Sequence, residues 1–532
     1  MSQMTVDEWL RWTTADAERR GLPALEPLLT SFAQSLKSLR AADFNQAPGA
    51  GLPESPDALR ASGSERRASD FTCHPSDQQQ TEADRPEPAW TIASLGAQLR
   101  RREITSLAIT DRCLQRVADD DPRLNAFILV MADEARAEAR MADAELARGV
   151  DRGPLHGLPI SIKDLLDVRG TPTTAASRVR EGHVAGHDAT VVARLREAGA
   201  VLIGKTNLHE FAFGTTNEES AFGPSRNPHD VRRSPGGSSG GSAASVAAGM
   251  ALASIGTDTG GSIRIPAAAC GIVGFKPPFG ELSTGGVVPL SASLDHVGPL
   301  ARCVTDAWSI YRILAGDHRP GPLGSAHLPD LRLGVLREYF CELLDDDVRA
   351  QFDEALDRLR AAGAHFENAK IPHAADIPPV YMTIVFSDAA AYHASTLEAV
   401  PERYSDGVRL RLEVGRYLPA EDLSRALKGR EILRREVDAA LSGFDVLVLP
   451  TLTIPAPELG AQSVHIGSVT APVRSLMLRN TQLFNVTGHP AISLPCGATG
   501  AGLPCGLQLV GMRSEALLQV AFACEQVLGT GS

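Results

Sequence analysis

Residues 233–276 read RSPGGSSGGSAASVAAGMALASIGTDTGGSIRIPAAACGIVGFK. Two glycine-flanked serine clusters, Gly236–Gly241 and Gly260–Ser262, bracket a run rich in alanine. Glycine lets backbone amides approach a ligand closely and adopt conformations closed to other residues. A serine hydroxyl attacks a carbonyl once a base takes its proton. Between the clusters, Ala243 to Ala253 is small and apolar, with no proline and one glycine. This composition predicts a buried helix of small residues with a serine loop at each end. A Gly/Ser linker would not carry an apolar helix and then IRIPAAACGIVGFK, so the two loops belong to one packed unit.

The next stretch with chemistry lies upstream, at Leu158–Val168. Ile160 and Ile162 alternate with Ser161 and Lys163, a strand pattern that puts Lys163 on the face opposite the isoleucines. Burial lowers the pKa of a lysine, and a neutral amine is a usable base. Taken alone, the stretch also accommodates a surface lysine.

Other motifs are excluded by their context. Gly199–Thr206 satisfies the pattern of a phosphate-binding P-loop, but its AVLI is a strand run. A phosphate cradle needs a loop whose amides point inward. Gly236–Gly240 satisfies G-x-S-x-G, yet the preceding NPHDVRRSP is polar and turn-like. A nucleophile elbow needs an apolar strand there. His209-Glu210 lacks the second histidine of a zinc-binding helix, and no metal site is expected. The net charge is −12, and with no basic run a direct nucleic-acid partner is not expected. No apolar run reaches about 18 residues, so no membrane span is expected. The N-terminus lacks the pattern of a signal peptide. The eight cysteines are scattered without a C-x-x-C, which fits a reduced, cytoplasmic protein.

Three regions follow along the chain. Residues 1–45 read as a helical hairpin. Thr5-Val-Asp-Glu8 forms a capping box, Gly21 and Pro23 break the first helix, and Leu25, Leu28, Leu29, Phe32, Leu36 and Leu39 share one face of the second. Two short helices cannot bury such a stripe alone, so the hairpin must dock. Residues 46–89 are rich in Pro, Gly, Ser, Asp and Gln and read as a flexible linker. Residues 90–532 form the globular unit. Helices are expected at 92–101, 106–119, 132–148, 347–361, across 376–440 and at 516–528. Strands are expected at 331–336, 365–368, 446–449, 491–494 and 507–510. Alternating elements of this kind give an α/β fold.

The long serine-rich stretch resembles the amidase signature family of serine amidohydrolases. The pattern GGSSGGSAA, a helix, GTDTGGSIR-x-PA and G-x-x-G-x-K-P stands here as Gly236–Ala244 and Gly256–Pro277. Similarity continues in His156-GLPISIKDL, Ser293-LDHVGPLAR, Val448-LPTLTIPAP and His489-PAISLP, and so covers roughly residues 90 to 530. The resemblance implies a large mixed β-sheet flanked by helices. It implies a triad with Ser262 as nucleophile, Ser238 as a bridging serine held by a cis peptide bond, and Lys163 as base. The amides of Thr259, Gly260, Gly261 and Ser262 match the family's oxyanion loop. Asp258 and Arg264 flank that loop, as support or as a plain structural ion pair. The family places substrate contacts in the loop 207–227, which makes Phe211, Phe213 and Gly214 candidates, although a surface loop is the plainer reading. No cofactor is implied, and the partner is a small-molecule amide, with a homodimer possible. The hairpin resembles the small helical subunits of transamidosomes and of carboxybiuret hydrolase, here fused to the large chain. Two activities follow: a free-standing amidohydrolase releasing ammonia or an amine, or the glutaminase subunit of a tRNA-dependent amidotransferase. Arg409-LRLEVGRYLPAEDLSRA lacks the tyrosine-rich segment of that glutaminase.

Overall fold

The computed structural model describes residues 4–44 and 90–529. The expected linker, 46–89, lies outside the described residues. The hairpin comprises α1 (Val6–Arg19) and α2 (Glu26–Ala41). Thr5 and Glu8 make the reciprocal capping box at the start of α1.

Among the described residues, thirteen strands follow: β1 (Phe127–Val130), β2 (Pro159–Lys163), β3 (Val201–Thr206), β4 (Ala253–Asp258), β5 (Val273–Lys276), β6 (His296–Ala301), β7 (Arg332–Leu336), β8 (His365–Ala369), β9 (Val446–Pro450), β10 (Ser463–Ile466), β11 (Val469–Pro472), β12 (Ala491–Ala498) and β13 (Pro504–Val510). Eleven of them form one mixed sheet in the order β1-β3-β2-β4-β6-β5-β12-β13-β9-β7-β8, and β10 pairs with β11 as a separate ribbon. β2 runs parallel to both β3 and β4. Every residue of these three strands is buried, as expected for parallel strands covered by helices on both faces. Parallel pairing brings the carboxyl ends of β2 and β4, Lys163 and Asp258, to the same edge of the sheet. Such an edge is where open α/β sheets generally bind ligands.

The segment between the serine clusters departs from its expected shape. The helix α3 spans Gly240–Ala247, not 243–253. It stops because the one glycine in the run, Gly249, adopts φ 74°, a left-handed terminator that alanine disfavours. The chain then reverses into β4. The two serine loops therefore do not sit at opposite ends of a helix. They meet, with Ser239 N–H donating to the Ser262 carbonyl at 3.3 Å. After the second loop the chain enters α4 (Arg264–Cys270).

Residues 376–440 are helical as expected, forming α5 (Ile377–Ala399), α6 (Asp406–Gly415) and most of α7 (Ala420–Gly443). The hairpin docks on these three helices of the same chain. Leu25, Leu29, Phe32, Leu36 and Leu39 are all within 1% of full burial. The Phe32 ring packs 5.7 Å from Phe386 on α5. Trp9 donates its indole N–H to the Tyr417 carbonyl at 2.8 Å. Arg40 grips Asp422 through two bonds of 2.8 and 2.6 Å, and Arg20 reaches Glu413 at 2.7 Å. Among the described residues, no helix is long and apolar enough to cross a membrane.

Truncating a buried large aromatic costs about 3–5 kcal/mol, so Phe32→Ala should loosen the hairpin. Deletion of residues 1–45 should expose the matching apolar face of α5–α7 and lower the melting temperature or the solubility. A truncated protein with the melting temperature, oligomeric state and activity of the full chain would show that the docking contributes nothing.

Candidate active site

Lys163 ends a fully buried strand and has no exposed surface. Its Nζ lies 2.9 Å from Ser238 Oγ, 2.9 Å from Ser239 Oγ and 2.8 Å from Thr257 Oγ1. Among the described residues, no carboxylate comes within 4.0 Å of it. Burial therefore dominates and pulls its pKa down to about 7, while the more distant Asp258 and Asp295 pull weakly the other way. At that value the amine is neutral in a large fraction of molecules near neutral pH.

The surrounding hydroxyls constrain where protons sit. A neutral amine has two N–H donors and one lone pair. Ser239 Oγ donates to the Thr257 carbonyl at 3.2 Å, so toward Lys163 it is an acceptor. The proton directed at the amine lone pair then comes from Ser238 or Thr257. Ser238 is fully buried and follows a cis peptide bond from Gly237. On the same face of β2 as Lys163, the Ser161 hydroxyl meets that of Ser245 of α3 at 3.1 Å.

The second serine loop is held by ion pairing and hydrogen bonds from distant segments. Arg264 and Asp258 are fully buried. The Arg264 Nε and Nη2 groups donate to the two Asp258 oxygens at 3.1 and 2.9 Å. Its remaining N–H groups go to the Thr481 carbonyl at 3.0 Å, Gln508 Oε1 at 2.7 Å and Asn485 Oδ1 at 2.7 Å. All five donors of the guanidinium are thus spent. This environment holds the Asp258 carboxyl well below the usual range, burial being overcome by Arg264. Asp258 also accepts the Ile263 N–H at 3.1 Å. Gly261 has φ 142°, and a Cβ there would lie 2.2 Å from Thr481 Oγ1. The loop can take this path only with glycine. Thr481 donates to the Gly260 carbonyl at 2.6 Å, and Thr259 donates to Asp295 at 2.5 Å. Burial raises the Asp295 carboxyl to about 6. Ser262 keeps 6% of its surface exposed, the most of any serine in the two clusters.

The loop 207–227 is mostly buried rather than a surface loop, and Phe211 and Phe213 are each 1% exposed. Phe211 packs edge-on against His393 at 4.3 Å. Phe213 packs against Phe386 at 5.2 Å, with the Arg411 and Arg474 guanidinium carbons each 5.5 Å from its ring. Gly214 exists to admit His209, because a Cβ would fall 2.0 Å from that imidazole. The structure thus brings Lys163, Ser238, the 258–264 loop and the wall containing Phe213 to one region, with Phe211 and Gly214 packed behind it.

Sequence reading missed several members. Ser239 and Thr257 flank Lys163, and both stand within the quoted motif as unassigned hydroxyls. Asp295 lies in the quoted SLDHVGPLAR. Tyr381 on α5 also belongs here: a Cβ on Gly260 would lie 2.2 Å from its phenol oxygen. Thr481, Asn485 and Gln508 carry no local signal, since only the fold brings them to Arg264.

A family model described as Amidase matches residues 108–516. This chain belongs to the amidase family. The glutamyl-tRNA(Gln) amidotransferase A subunit of Anaeromyxobacter sp. (strain K) is 40% identical over 482 residues, spanning 82% of this amidase and 96% of that protein. The protein of the same name from Roseiflexus sp. (strain RS-1) is 41% identical over 475 residues, with the same coverages. Among solved structures, one described as an amidase has a TM-score of 0.78 at 40% identity and covers 82% of this chain and 99% of its own. A second, from a vestigial complex tied to the evolutionary origins of an s-triazine catabolic enzyme, has a TM-score of 0.77 at 34% identity, covering 82% and 98%. These matches agree with the α/β fold, its large mixed sheet and its flanking helices.

The depressed lysine gives a testable sign. If the base form of this amidase must have Lys163 neutral, kcat/KM rises with pH through about 7 and levels off above it. Lys163→Ala should cost more than the ~10²–10⁴-fold usual for general base catalysis, since one residue would serve both proton transfers. A pH profile that is flat from about 6 to 9 while chemistry limits the rate would contradict the role.

Proposed function

We propose that this amidase cleaves a carboxamide C–N bond through a Ser262 acyl-enzyme, with Ser238 as proton bridge and Lys163 as base. The observation that carries the reading is the neutral-range lysine, buried against Ser238, on the loop that packs on Ser262. In this scheme Lys163 takes the Ser238 proton as Ser238 takes that of Ser262. The freed Ser262 oxygen bonds to the amide carbon, and the carbonyl oxygen becomes an oxyanion near the amides of residues 259–262. Such donors act most strongly where water is excluded. The oxyanion then collapses and the C–N bond breaks. The proton returns from Lys163 through Ser238 to the nitrogen, which leaves as ammonia or an amine. Water, activated by the same relay, releases the acid and restores Ser262.

A second reading is favoured by the names of the relatives: a glutaminase that delivers ammonia to a charged tRNA within a complex. The hairpin, with its likeness to the small subunits of transamidosomes, leans the same way; against it, the region after Arg409 lacks the tyrosine-rich segment. Ammonia release from glutamine and from a panel of small amides, with no partner added, separates the two. The free-standing enzyme turns over a small amide; the complex member is inert until its partners are supplied.

Ser262→Ala should abolish turnover and preserve the fold, read by circular dichroism and melting temperature. A fluorophosphonate should label Ser262 in the wild type. Labelling of Ser239 or Ser242 instead would overturn the assignment.

A further inference from the structure

We propose that Arg474 anchors a negatively charged group on the substrate, so that the amide hydrolysed carries a carboxylate. The proposal rests on the amide-hydrolysis reading above and names the substrate class at the same site.

Arg474 lies in the first turn of a short helix, Val473–Leu478, directly after the β10–β11 ribbon. It is partly buried. Its guanidinium lies against the Phe213 ring at 5.5 Å and donates one bond, through Nη1, to the Phe213 carbonyl at 3.3 Å. Among the described residues, it has no carboxylate within 4.0 Å. Arg411 lies at the same distance from the same ring, but it is paired with Glu219. Glu219 also binds His209 Nε2 at 2.9 Å, an imidazole whose pKa burial lowers. The other acids of this loop are engaged elsewhere. Glu210 accepts the Ser405 N–H and Glu218 the Gly460 N–H, each at 2.8 Å. Glu219 is thus taken by Arg411 and His209, and Arg474 is left without a paired carboxylate.

A partly desolvated guanidinium without a counter-ion is costly. Its planar fork matches a carboxylate, which would satisfy the remaining N–H groups in a bidentate pair. The location suits a substrate contact. Phe213 packs edge-on against Phe386 of α5, and about one and a half turns earlier on that helix Tyr381 reaches Gly260 of the oxyanion loop. Phe213 also follows closely on His209, whose backbone N–H donates to the Ser238 carbonyl at 3.1 Å, so the cation sits beside the loop that meets the serine motif.

The test pairs acids with near-isosteric neutral amides: malonamate with malonamide, and succinamate with succinamide. Wild type should favour an acid member by kcat/KM. Arg474→Gln should lower kcat/KM for that acid by about 30-fold or more, chiefly through KM, as truncation of a charge pair does. The neutral partner should change less than about twofold. Arg474→Lys, which keeps the charge and loses the fork, should fall between, and it serves if the glutamine variant does not fold. An independent readout is protection. Succinate should slow fluorophosphonate labelling of Ser262 in the wild type and not in Arg474→Gln. Equal losses for acid and neutral members, a wild-type preference for the neutral amide in both pairs, or equal protection in both proteins would overturn the proposal. Turnover of the neutral amides would still support amide hydrolysis in those cases, whereas turnover surviving Ser262→Ala would overturn the underlying reading instead.

Discussion

The buried Arg264–Asp258 pair is the constraint on which the site depends. Asp258 closes β4, and Arg264 opens α4 on the far side of the loop 259–263. The pair therefore staples the two ends of the loop together. The same guanidinium also engages Thr481, Asn485 and Gln508, which belong to the C-terminal part of the chain and to β13. One side chain thus joins the serine motif to the opposite half of the sheet. Removing one partner of such a pair leaves an uncompensated buried charge, at a cost of about 3–5 kcal/mol. Lysine could not substitute, because it lacks the planar five-donor fork. With all five guanidinium donors engaged, Arg264 acts as part of an ion pair that fixes the loop.

Lys163 presents the opposite solution to burial. Arg264 is paired with a carboxylate, whereas Lys163 is surrounded by hydroxyls and burial lowers its pKa to about 7. Both arise from the same geometry, parallel strands that deliver polar residues to one buried edge. The sheet supplies a cation that holds the loop and an amine that can exchange protons. The hairpin joins this arrangement from outside. Phe32 packs on Phe386, and Phe386 on Phe213, so the docked helices buttress the wall that faces the serine loops.

Much of this was legible in the sequence where the signal is local. The serine clusters, Lys163 on its alternating strand, the capping box and the amphipathic stripe of α2 are patterns contained within a few turns. The helix between the clusters ends earlier than its alanine-rich composition predicts, because alanine's helix propensity is overridden where the chain turns into β4. Only the backbone angle of Gly249 marks where one gives way to the other. The polar residues of loop 207–227 suit a surface loop as well as a substrate wall; its asparagines and serines bond to backbone inside the fold, as Asn207 does with Asn125 and Gly223. Tyr381, Thr481, Asn485, Gln508 and Arg474 were not legible. Each comes from a segment more than a hundred residues from the motif it supports, and none has a neighbour in sequence that marks it.

The central claim is that Lys163 is neutral at working pH because it is buried without a carboxylate. The chain has few lysines: Lys37, Lys163, Lys205, Lys276, Lys370 and Lys428. Their resonances can therefore be followed individually in protein labelled with 13Cε-lysine, with Lys163→Ala identifying the relevant signal. Titration of the resting enzyme should move the Lys163 resonance with a midpoint of about 7. A Lys163 signal that stays at its protonated position to pH 9 and above would contradict the account.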